Sequence, residues 1–218
     1  LPSRVDPELC MRHENGKLIC IMTKHVDDLK IAGDARIVQM VLTVLQQHFG
    51  ELKVISADFV NCGVRHQQCP KTFTIHLDQI AFCNNLRPIA HRQLAVANLE
   101  ESACPELHEL YRSLLGAVAY LSHTRVDALV FICALQRAAN SPTVGHAKKL
   151  NKLLGWLQKQ PKKLTFLPLQ AKDTHLRIIS DAAFKKEVDS GYSLRGASSC
   201  EQQVLGHRTS QLLGMYTS

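Results

Sequence analysis

Two adjacent carboxylates, Asp27 and Asp28, form the pair of side chains in this sequence that is best suited to hold a metal ion. Neighbouring carboxylates repel each other when both are ionised, and either water or a shared divalent cation relieves that repulsion. Oxygen ligands suit Mg²⁺, and an ion held there can bind phosphate groups during phosphoryl transfer. Aspartate is also a favoured turn residue, so a solvated turn with no ligand explains the same pair.

The residues on both sides of the acidic pair predict two strands joined by a tight turn. Residues 18–22 are rich in β-forming side chains, and residues 29–33 alternate in polarity, which is typical of strands. The acidic pair then lies at the tip of a hairpin. The dipeptide Asn15-Gly16 predicts a second turn, because both residues tolerate positive φ, and this turn adds a third strand.

A helix and a second hairpin are predicted next. Asp34 can cap a helix whose apolar residues follow helical spacing and which ends at Gly50. Residues 59–66 and 71–77 alternate in polarity and are separated by residues 67–70, so they predict two paired strands. We therefore expect a helix that covers the first hairpin, followed by another antiparallel pair.

The segment around the acidic pair resembles the catalytic hairpin of reverse transcriptases, in the form found in copia-type LTR retrotransposons. The motif of that family reads hydrophobic-Tyr-Val-Asp-Asp-hydrophobic-x-Ile-Ala-Gly, and residues 26–29 and 31–33 match it. His25 stands where the family usually has Tyr, a residue that packs near the primer end. The resemblance implies that Asp27 is a direct ligand of Mg²⁺ (or Mn²⁺) and that Asp28 contributes more weakly. It also implies a further Asp on an earlier palm strand, upstream of the first residue.

A longer resemblance to the same family covers residues 111–127. The thumb and connection region of the family reads Tyr-Arg-x-x-hydrophobic-Gly-x-hydrophobic-x-Tyr-Leu-x-x-x-Thr-Arg-Pro-Asp-Ile, and this sequence follows it with Val126 in place of Pro. The dipeptide Ser141-Pro142 continues the pattern. The second predicted hairpin stands where the family has its primer grip, and residues 77–82 keep the Leu-x-Gln pattern found there.

The apolar residues of this region predict three packed helices by themselves. One apolar helix face precedes two more helices, over residues 128–139 and 144–160, which are expected to pack around Trp156. The first face consists of Leu107, Leu110, Leu114 and Leu121. Core packing explains these positions, so we assign them no chemistry. Residues 88–102 have weak periodicity and are predicted to form a linker.

Three lysines on the last of these helices, Lys148, Lys149 and Lys152, admit two interpretations of equal weight. Either these lysines contact the phosphates along a nucleic-acid backbone, or they form a solvated helix face that keeps the protein soluble. The net charge of +7 and the pI near 9.0 modestly favour a polyanionic partner, because cationic surfaces concentrate such ligands.

The last part of the sequence resembles the first strand of the ribonuclease H domain that follows the polymerase in the same family. Asp181 matches the first metal-binding Asp of that domain, while Ala183 and Phe184 replace its second Asp and its Trp. Residues 189–193 resemble its second strand. A lone Asp at a strand end is usually a cap or turn residue, so a metal-binding role for Asp181 follows from the resemblance alone.

Composition excludes several classes of protein. The eight cysteines lack the Cys and His spacings of zinc sites, and we interpret them as reduced packing residues of an intracellular protein. No charged-then-apolar leader opens the sequence, and it contains no run of about 18 apolar residues. We expect neither secretion nor membrane spanning, and place the protein in a cytoplasmic particle or the nucleus. Its two ends suggest a piece of a longer protein.

These observations predict an α+β protein in three parts. Residues 1–87 form part of a reverse-transcriptase palm, with an antiparallel sheet and a helix; residues 88–162 form a linker and a helical thumb and connection; residues 163–218 begin a ribonuclease H-like sheet. The implied function is a fragment of an RNA-directed DNA polymerase that uses an RNA template, a DNA primer and deoxynucleotides, and that is inactive alone. The alternatives are a basic nucleic-acid-binding module without catalysis and a plain α+β scaffold.

Overall fold

The computed structural model describes residues 2–95 and 98–168 with their side chains, and the backbone of residues 175–182, 195–202 and 211–216. It is an α+β structure of antiparallel sheets and several helices, as predicted. The strands are β1 (Leu9–Glu14), β2 (Lys17–His25), β3 (Asp28–Gly33), β4 (Lys53–Ser56), β5 (Asp58–Asn61), β6 (Val64–Gln68), β7 (Ile75–Asp78), β8 (Leu164–Phe166), β9 (His175–Ala182), β10 (Arg195–Gln202) and β11 (Gln211–Tyr216). The helices longer than one turn are α1 (Ala35–Phe49), α2 (Ile80–Asn85), α3 (Pro105–Tyr120), α4 (Leu129–Gln136) and α5 (Val144–Lys159).

The first sheet has the strand order β1-β2-β3-β11-β4, and each neighbouring pair is antiparallel. Asn15 and Gly16 join β1 to β2 with φ of 50° and 72°, which confirms the predicted turn. Between β3 and β4 lies β11, with Tyr216 opposite Asp28. The hairpin that carries the acidic pair is therefore paired along both sides.

Helix α1 covers one face of this sheet, as the sequence predicted. The side chain of Asp34 accepts a hydrogen bond from the backbone N–H of Arg36 at 2.9 Å, and Gly50 ends the helix with φ of 83°. The helix buries an apolar stripe against Cys20 and Ile31. Because side chains alternate along a strand, the residues on either side of Ile31 in β3 point away from α1.

The second sheet has the order β5-β6-β7-β8. The prediction of one continuous strand over residues 59–66 was wrong, because Cys62 and Gly63 form a turn with φ of 47° and 69° and divide it into β5 and β6. Strand β7 follows as the third strand of a meander, and β8 joins it from residues 164–166. The predicted hairpin is thus part of a four-stranded sheet.

The three predicted helices are present as α3, α4 and α5, and they surround the larger apolar core. Tyr111 is fully buried there, and its hydroxyl donates to the carbonyl oxygen of Leu135 at 2.7 Å. The placement of Trp156 and Leu110 in this core was wrong, because their exposed fractions are 37% and 42%. Helix α5 instead buries a leucine stripe that includes Leu154, on a face that Trp156 does not share. Among the helices that the structure describes, none has the length and apolar character needed to cross a membrane.

The described residues of the predicted linker, 88–95 and 98–102, pack against these helices. Ile89 is buried, and both of its backbone polar groups bond to one side chain: its N–H donates to Asn151 Oδ1 at 2.7 Å, and its carbonyl accepts from Asn151 Nδ2 at 2.8 Å. This segment is therefore a packed loop that belongs to the helical part of the fold.

Candidate functional site

The acidic pair lies at the tip of the hairpin formed by β2 and β3. Strand β2 ends at His25, Val26 and Asp27 form a two-residue turn, and Asp28 begins β3 opposite His25. Asp27 and His25 are exposed, and Asp28 is half-buried. Val26 has φ of 53°, in the left-handed region that β-branched residues avoid, and its side chain is 77% exposed. The turn thus presents both carboxylates at one end of the sheet at the expense of local backbone strain.

The face of β3 that carries Asp28 points away from α1 and also carries Lys30. The ammonium of Lys30 lies 3.5 Å from Nε2 of His66 in β6, while Nδ1 of His66 lies 3.0 Å from the carbonyl oxygen of Val64. Burial, and then the nearby Lys30, lower the pKa of His66, which favours a neutral ring that donates from Nδ1 and accepts at Nε2. The contact links the hairpin to the second sheet and holds a cation two residues from Asp28.

The donor chemistry of the acidic pair fits a hard divalent cation. Carboxylate oxygens are the ligands that Mg²⁺ and Mn²⁺ take, and Mg²⁺ usually completes its octahedron with water and substrate phosphates. Among the residues described with side chains, no third Asp, Glu, His or Cys joins Asp27 and Asp28 in a group close enough to share one ion. The pair therefore fits an ion that takes its remaining ligands from elsewhere.

The other proposed metal ligand, Asp181, lies in β9, which pairs with β10 so that Asp181 is opposite Gly196. The structure gives the backbone of this strand. Ala183, Phe184 and residues 189–193, which complete the ribonuclease H resemblance, lie outside the described residues.

Several motif residues of the family resemblance form a polar network between α2 and the end of α3. Gln79 is buried, and its side chain donates to the carbonyl oxygen of Tyr120 at 3.2 Å and accepts from the hydroxyl of Thr124 at 2.9 Å. The hydroxyl of Tyr120 in turn donates to the carbonyl oxygen of Cys62 in the turn between β5 and β6. The Leu-x-Gln and Thr-Arg patterns thus position one part of the fold against another.

The adjacent Arg125 is a buried cation that its neighbours satisfy. It donates from Nε and Nη2 to the two carboxylate oxygens of Asp127 at 2.9 and 3.1 Å, and from Nη1 to the carbonyl oxygen of Leu157 at 3.2 Å. The guanidinium also lies over the ring of Trp156, 5.1 Å from its centroid. Hydrogen bonds from Arg125, together with one from Lys162, lower the pKa of Asp127 to about 2.

The lysines predicted to contact nucleic acid lie on α5. Lys149 and Lys152 are exposed, and Lys148 is half-buried. Trp156 and Lys159 continue the same exposed stripe at helical spacing, so an aromatic ring stands between cations. We call these four exposed residues, Lys149, Lys152, Trp156 and Lys159, the α5 stripe. The spacing of its members along the sequence was the signal for it, but Trp156 was assigned to the core because of its residue type.

Comparison with known proteins finds a distant relative over most of the chain. In an alignment 193 residues long, which covers 84% of the chain, the chain is 25% identical to the retrovirus-related Pol polyprotein from transposon RE2 of Arabidopsis thaliana. It spans 13% of the length of that polyprotein. No protein-family model and no solved structure matches the chain. The chain is therefore distantly related to a retrotransposon Pol polyprotein.

Proposed function

We propose that this chain is part of a retrotransposon RNA-directed DNA polymerase. The observation that carries the proposal is the turn between β2 and β3, which presents Asp27 and Asp28 together at the tip of a hairpin. The distant relation to a Pol polyprotein supports it. We propose that residues 1–87 are palm, that residues 88–162 are thumb and connection, and that residues 163–218 begin a ribonuclease H domain with Asp181 as a metal ligand. Within that last part, β8 pairs with β7 and β11 lies between β3 and β4, so these two strands extend the sheets of the proposed palm. The proposed location is inside the cell.

In the proposed reaction, the 3′-hydroxyl of a DNA primer attacks the α-phosphate of a deoxynucleotide paired with an RNA template, and pyrophosphate leaves. Mg²⁺ or Mn²⁺, when bound, supplies positive charge to the phosphate oxygens. Asp27 holds the ion directly from the turn, and Asp28 contributes more weakly from the first position of β3. Lys30 lies on the same face and adds a cation near the phosphates, and His25 borders the primer end in place of the family's Tyr.

The 218-residue chain is proposed to lack activity by itself. Among the described residues, Asp27 and Asp28 are the only acidic residues at the hairpin tip. Two carboxylates with no third protein ligand hold Mg²⁺ weakly. The family places a further Asp on an earlier palm strand. We therefore propose that the hairpin is half of a metal site whose other half comes from an upstream palm and fingers segment.

Primer extension on an RNA template tests this function directly. The 218-residue chain is compared with a version fused to the upstream palm and fingers of a copia-type polymerase, and we expect the fused form alone to incorporate nucleotides. Asp27→Asn in the fused form should lower the rate by about a hundredfold or more, because charge stabilisation at the reacting phosphate is lost. Glu51→Gln, at an exposed acid outside the hairpin, is the matched control and should leave the rate unchanged. Robust extension by the 218-residue chain, or by the Asp27→Asn fusion, would refute the proposed half-site.

A second candidate function is nucleic-acid binding without catalysis, and the α5 stripe is the observation that favours it. Lysines can pair with successive phosphates, and a partly exposed indole can stack on an unpaired base. Trp156 is 37% exposed, with Arg125 over its ring and Phe131 at its edge, so the ring is held in a fixed orientation. A rigid aromatic ring between cations is a suitable surface for a single strand or a hybrid end.

Fluorescence anisotropy with a labelled RNA–DNA hybrid, over a range of salt concentrations, tests this candidate. Each lysine of the stripe that contacts a phosphate should contribute about 0.9 to the slope of log affinity against log salt. Lys149→Ala and Lys152→Ala together should lower that slope by about 2, whereas Lys71→Ala, at an exposed lysine in the turn between β6 and β7, should not change it. Binding that survives Asp27→Asn and Asp28→Asn supports this function. A salt slope that the stripe variants leave unchanged would show that the α5 stripe does not contact the nucleic acid.

A further inference from the structure

Three side chains of metal-ligating type meet at the N-terminus of α3, far from the acidic hairpin in sequence. They are His91, Cys104 and Glu106, and one ligand atom from each lies within 4.8 Å of the others. Nε2 of His91 lies 3.8 Å from Sγ of Cys104. No short sequence motif marks this cluster, because His91 comes from the loop after α2, whereas Cys104 directly precedes α3 and Glu106 lies in its first turn.

The side chain of Gln93 holds the two segments of this cluster together. Its amide nitrogen donates to the carboxylate of Glu101 and to the carbonyl oxygen of Ser102, both at 2.8 Å. Its amide oxygen accepts from the backbone N–H of Cys104 at 2.9 Å. The backbone N–H of Gln93 also donates to Nδ1 of His91 at 3.2 Å. The three bonds of the Gln93 side chain therefore fix the segments that carry the donors, which lowers the entropy lost when a ligand binds.

The spacing of the ligand atoms in this cluster can be compared with the spacing of ligand atoms around a bound metal ion. With bonds of about 2.0–2.3 Å, a tetrahedral zinc ion keeps its ligand atoms roughly 3.3–3.8 Å apart. The separation between His91 and Cys104 already lies at this value. A carboxylate oxygen of Glu106 lies within 4.8 Å of the ligand atoms of His91 and Cys104. Glu106 is exposed and can close the remaining distance by rotating its side chain.

We propose that His91, Cys104 and Glu106 form a binding site for Zn²⁺, with one coordination position open to solvent. The set of one sulfur, one nitrogen and one oxygen donor suits a borderline ion and is poorly suited to Mg²⁺. Coordination releases the thiol proton of Cys104 to solvent, and His91 gives up its Nε2 proton to water while Nδ1 takes one, so that the ring stays neutral. The bond from the Gln93 N–H to Nδ1 is lost in exchange. The bound ion would join the loop after α2 to the start of α3.

Titration of the 218-residue chain with Co²⁺ tests this site, because a cobalt thiolate has a charge-transfer absorption band. We expect one equivalent of Co²⁺ to produce that band and one equivalent of Zn²⁺ to abolish it. Zn²⁺ should also raise the midpoint of thermal unfolding relative to protein kept in chelator, since an ion that binds the folded form stabilises it. A band that is absent, or that requires many equivalents of Co²⁺, would overturn the proposal.

Variants separate this site from the other thiols of the chain. Cys104→Ser and Glu106→Gln should each weaken Co²⁺ binding by at least about a hundredfold, since even partners that only orient a ligand cost 10–100-fold. Cys133→Ser, at an exposed thiol of α4, and Glu109→Gln, at an exposed acid one turn along α3, are the matched controls and should bind as the wild type does. Circular dichroism in chelator establishes that each variant is folded. Because Glu106 is exposed, Glu106→Gln keeps the test decisive if the Cys104 variant unfolds, and unchanged binding by that variant would overturn the assignment.

Discussion

The guanidinium of Arg125 is 5% exposed, and the carboxylate of Asp127 supplies its two charged hydrogen bonds. Removing one partner from a buried ion pair leaves the other charge without compensation, which costs more than the pair itself contributes. In the family motif, this Arg and Asp stand two residues apart, and the structure gives that spacing a physical reason. Two carboxylate oxygens meet the planar fork of the guanidinium in a bidentate contact.

We expect Asp127→Asn to lower the free energy of unfolding by about 2–4 kcal/mol, because Arg125 remains buried with one neutral partner in place of a carboxylate. Urea denaturation measures the change. The matched control is Asp58→Asn, which removes the carboxylate from another bidentate pair, with Arg65, whose two side chains are 49% and 47% exposed. That exposed pair should contribute much less to stability, because water screens it. Equal losses in the two variants would contradict the role assigned to Arg125.

The acid dependence of stability checks the same pair independently. The pKa of Asp127 falls from an ordinary 3.8 to about 2 in the folded state. Its contribution is therefore fully present above the ordinary pKa and is lost as pH falls through the folded value. The difference in unfolding free energy between the wild type and Asp127→Asn should be constant above about pH 5 and shrink between about pH 4 and pH 2.

The turn at the tip of the β2–β3 hairpin is an element whose geometry conflicts with its sequence. Val26 adopts φ of 53°, and the left-handed conformation costs an L-residue roughly 1–2 kcal/mol. Glycine has no such cost, so the wild-type hairpin sacrifices stability at the position next to its acidic pair.

We expect Val26→Gly to raise the free energy of unfolding by about 1 kcal/mol, since it removes this backbone strain. The matched control is Val60→Gly, at an exposed valine in the middle of β5 with an ordinary strand conformation. There, glycine should lower the unfolding free energy by about 1 kcal/mol, because it weakens a strand. Thermal or urea unfolding measures both. A loss of stability in Val26→Gly would show that the turn is not strained.

The sequence predicted well those elements that are determined by residues close together along the chain. Asn15 and Gly16 both need positive φ, and Asp34 caps α1 through a bond to a residue two positions away. The turn at Cys62 and Gly63 was missed because cysteine seldom takes positive φ, although glycine in the second position was a partial signal.

One local signal was misjudged, and one feature that depends on the rest of the fold was missed. Trp156 was placed in the core because of its residue type, whereas its position on the α5 stripe predicts exposure. The meeting of His91 with Cys104 depends on how a loop folds back, and no local pattern reports it. The acidic pair could be located from the sequence because a hairpin tip is a local structure, and its catalytic role remains a prediction.

Within the whole molecule, Tyr120 connects the second sheet to the helical core. Its hydroxyl donates to the carbonyl oxygen of Cys62, its ring contacts Phe82 edge-on at 5.4 Å between centroids, and Gly63 lies beside the ring. A Cβ on Gly63 would come within 3.4 Å of the Tyr120 ring. Tyr120 and the turn that it contacts therefore form one of the junctions between the sheet and the helices.

We expect Tyr120→Phe to increase hydrogen exchange in β5 and β6 while the amides of α3 to α5 keep their protection, because it removes one bond at the connection, worth about 0.5–1.5 kcal/mol. The matched variant is Tyr111→Phe, which removes the bond from a buried hydroxyl to Leu135 inside the helical core. It should increase exchange in the helices instead. The same exchange pattern in both variants would mean that the sheet and the helices open as one unit.

The place of β11 between β3 and β4 affects the order in which the protein can fold during synthesis. The helical core, from α2 to α5, is complete once Lys159, the last residue of α5, has left the ribosome, and it consists of contacts between nearby helices. The first sheet must wait for residues 211–216, because β3 and β4 reach each other only through β11. Until then, β3 has an unpaired edge that can bind another nascent chain. Within the first sheet, β3, which begins at Asp28, and β4 are therefore the last strands to gain their full set of neighbours.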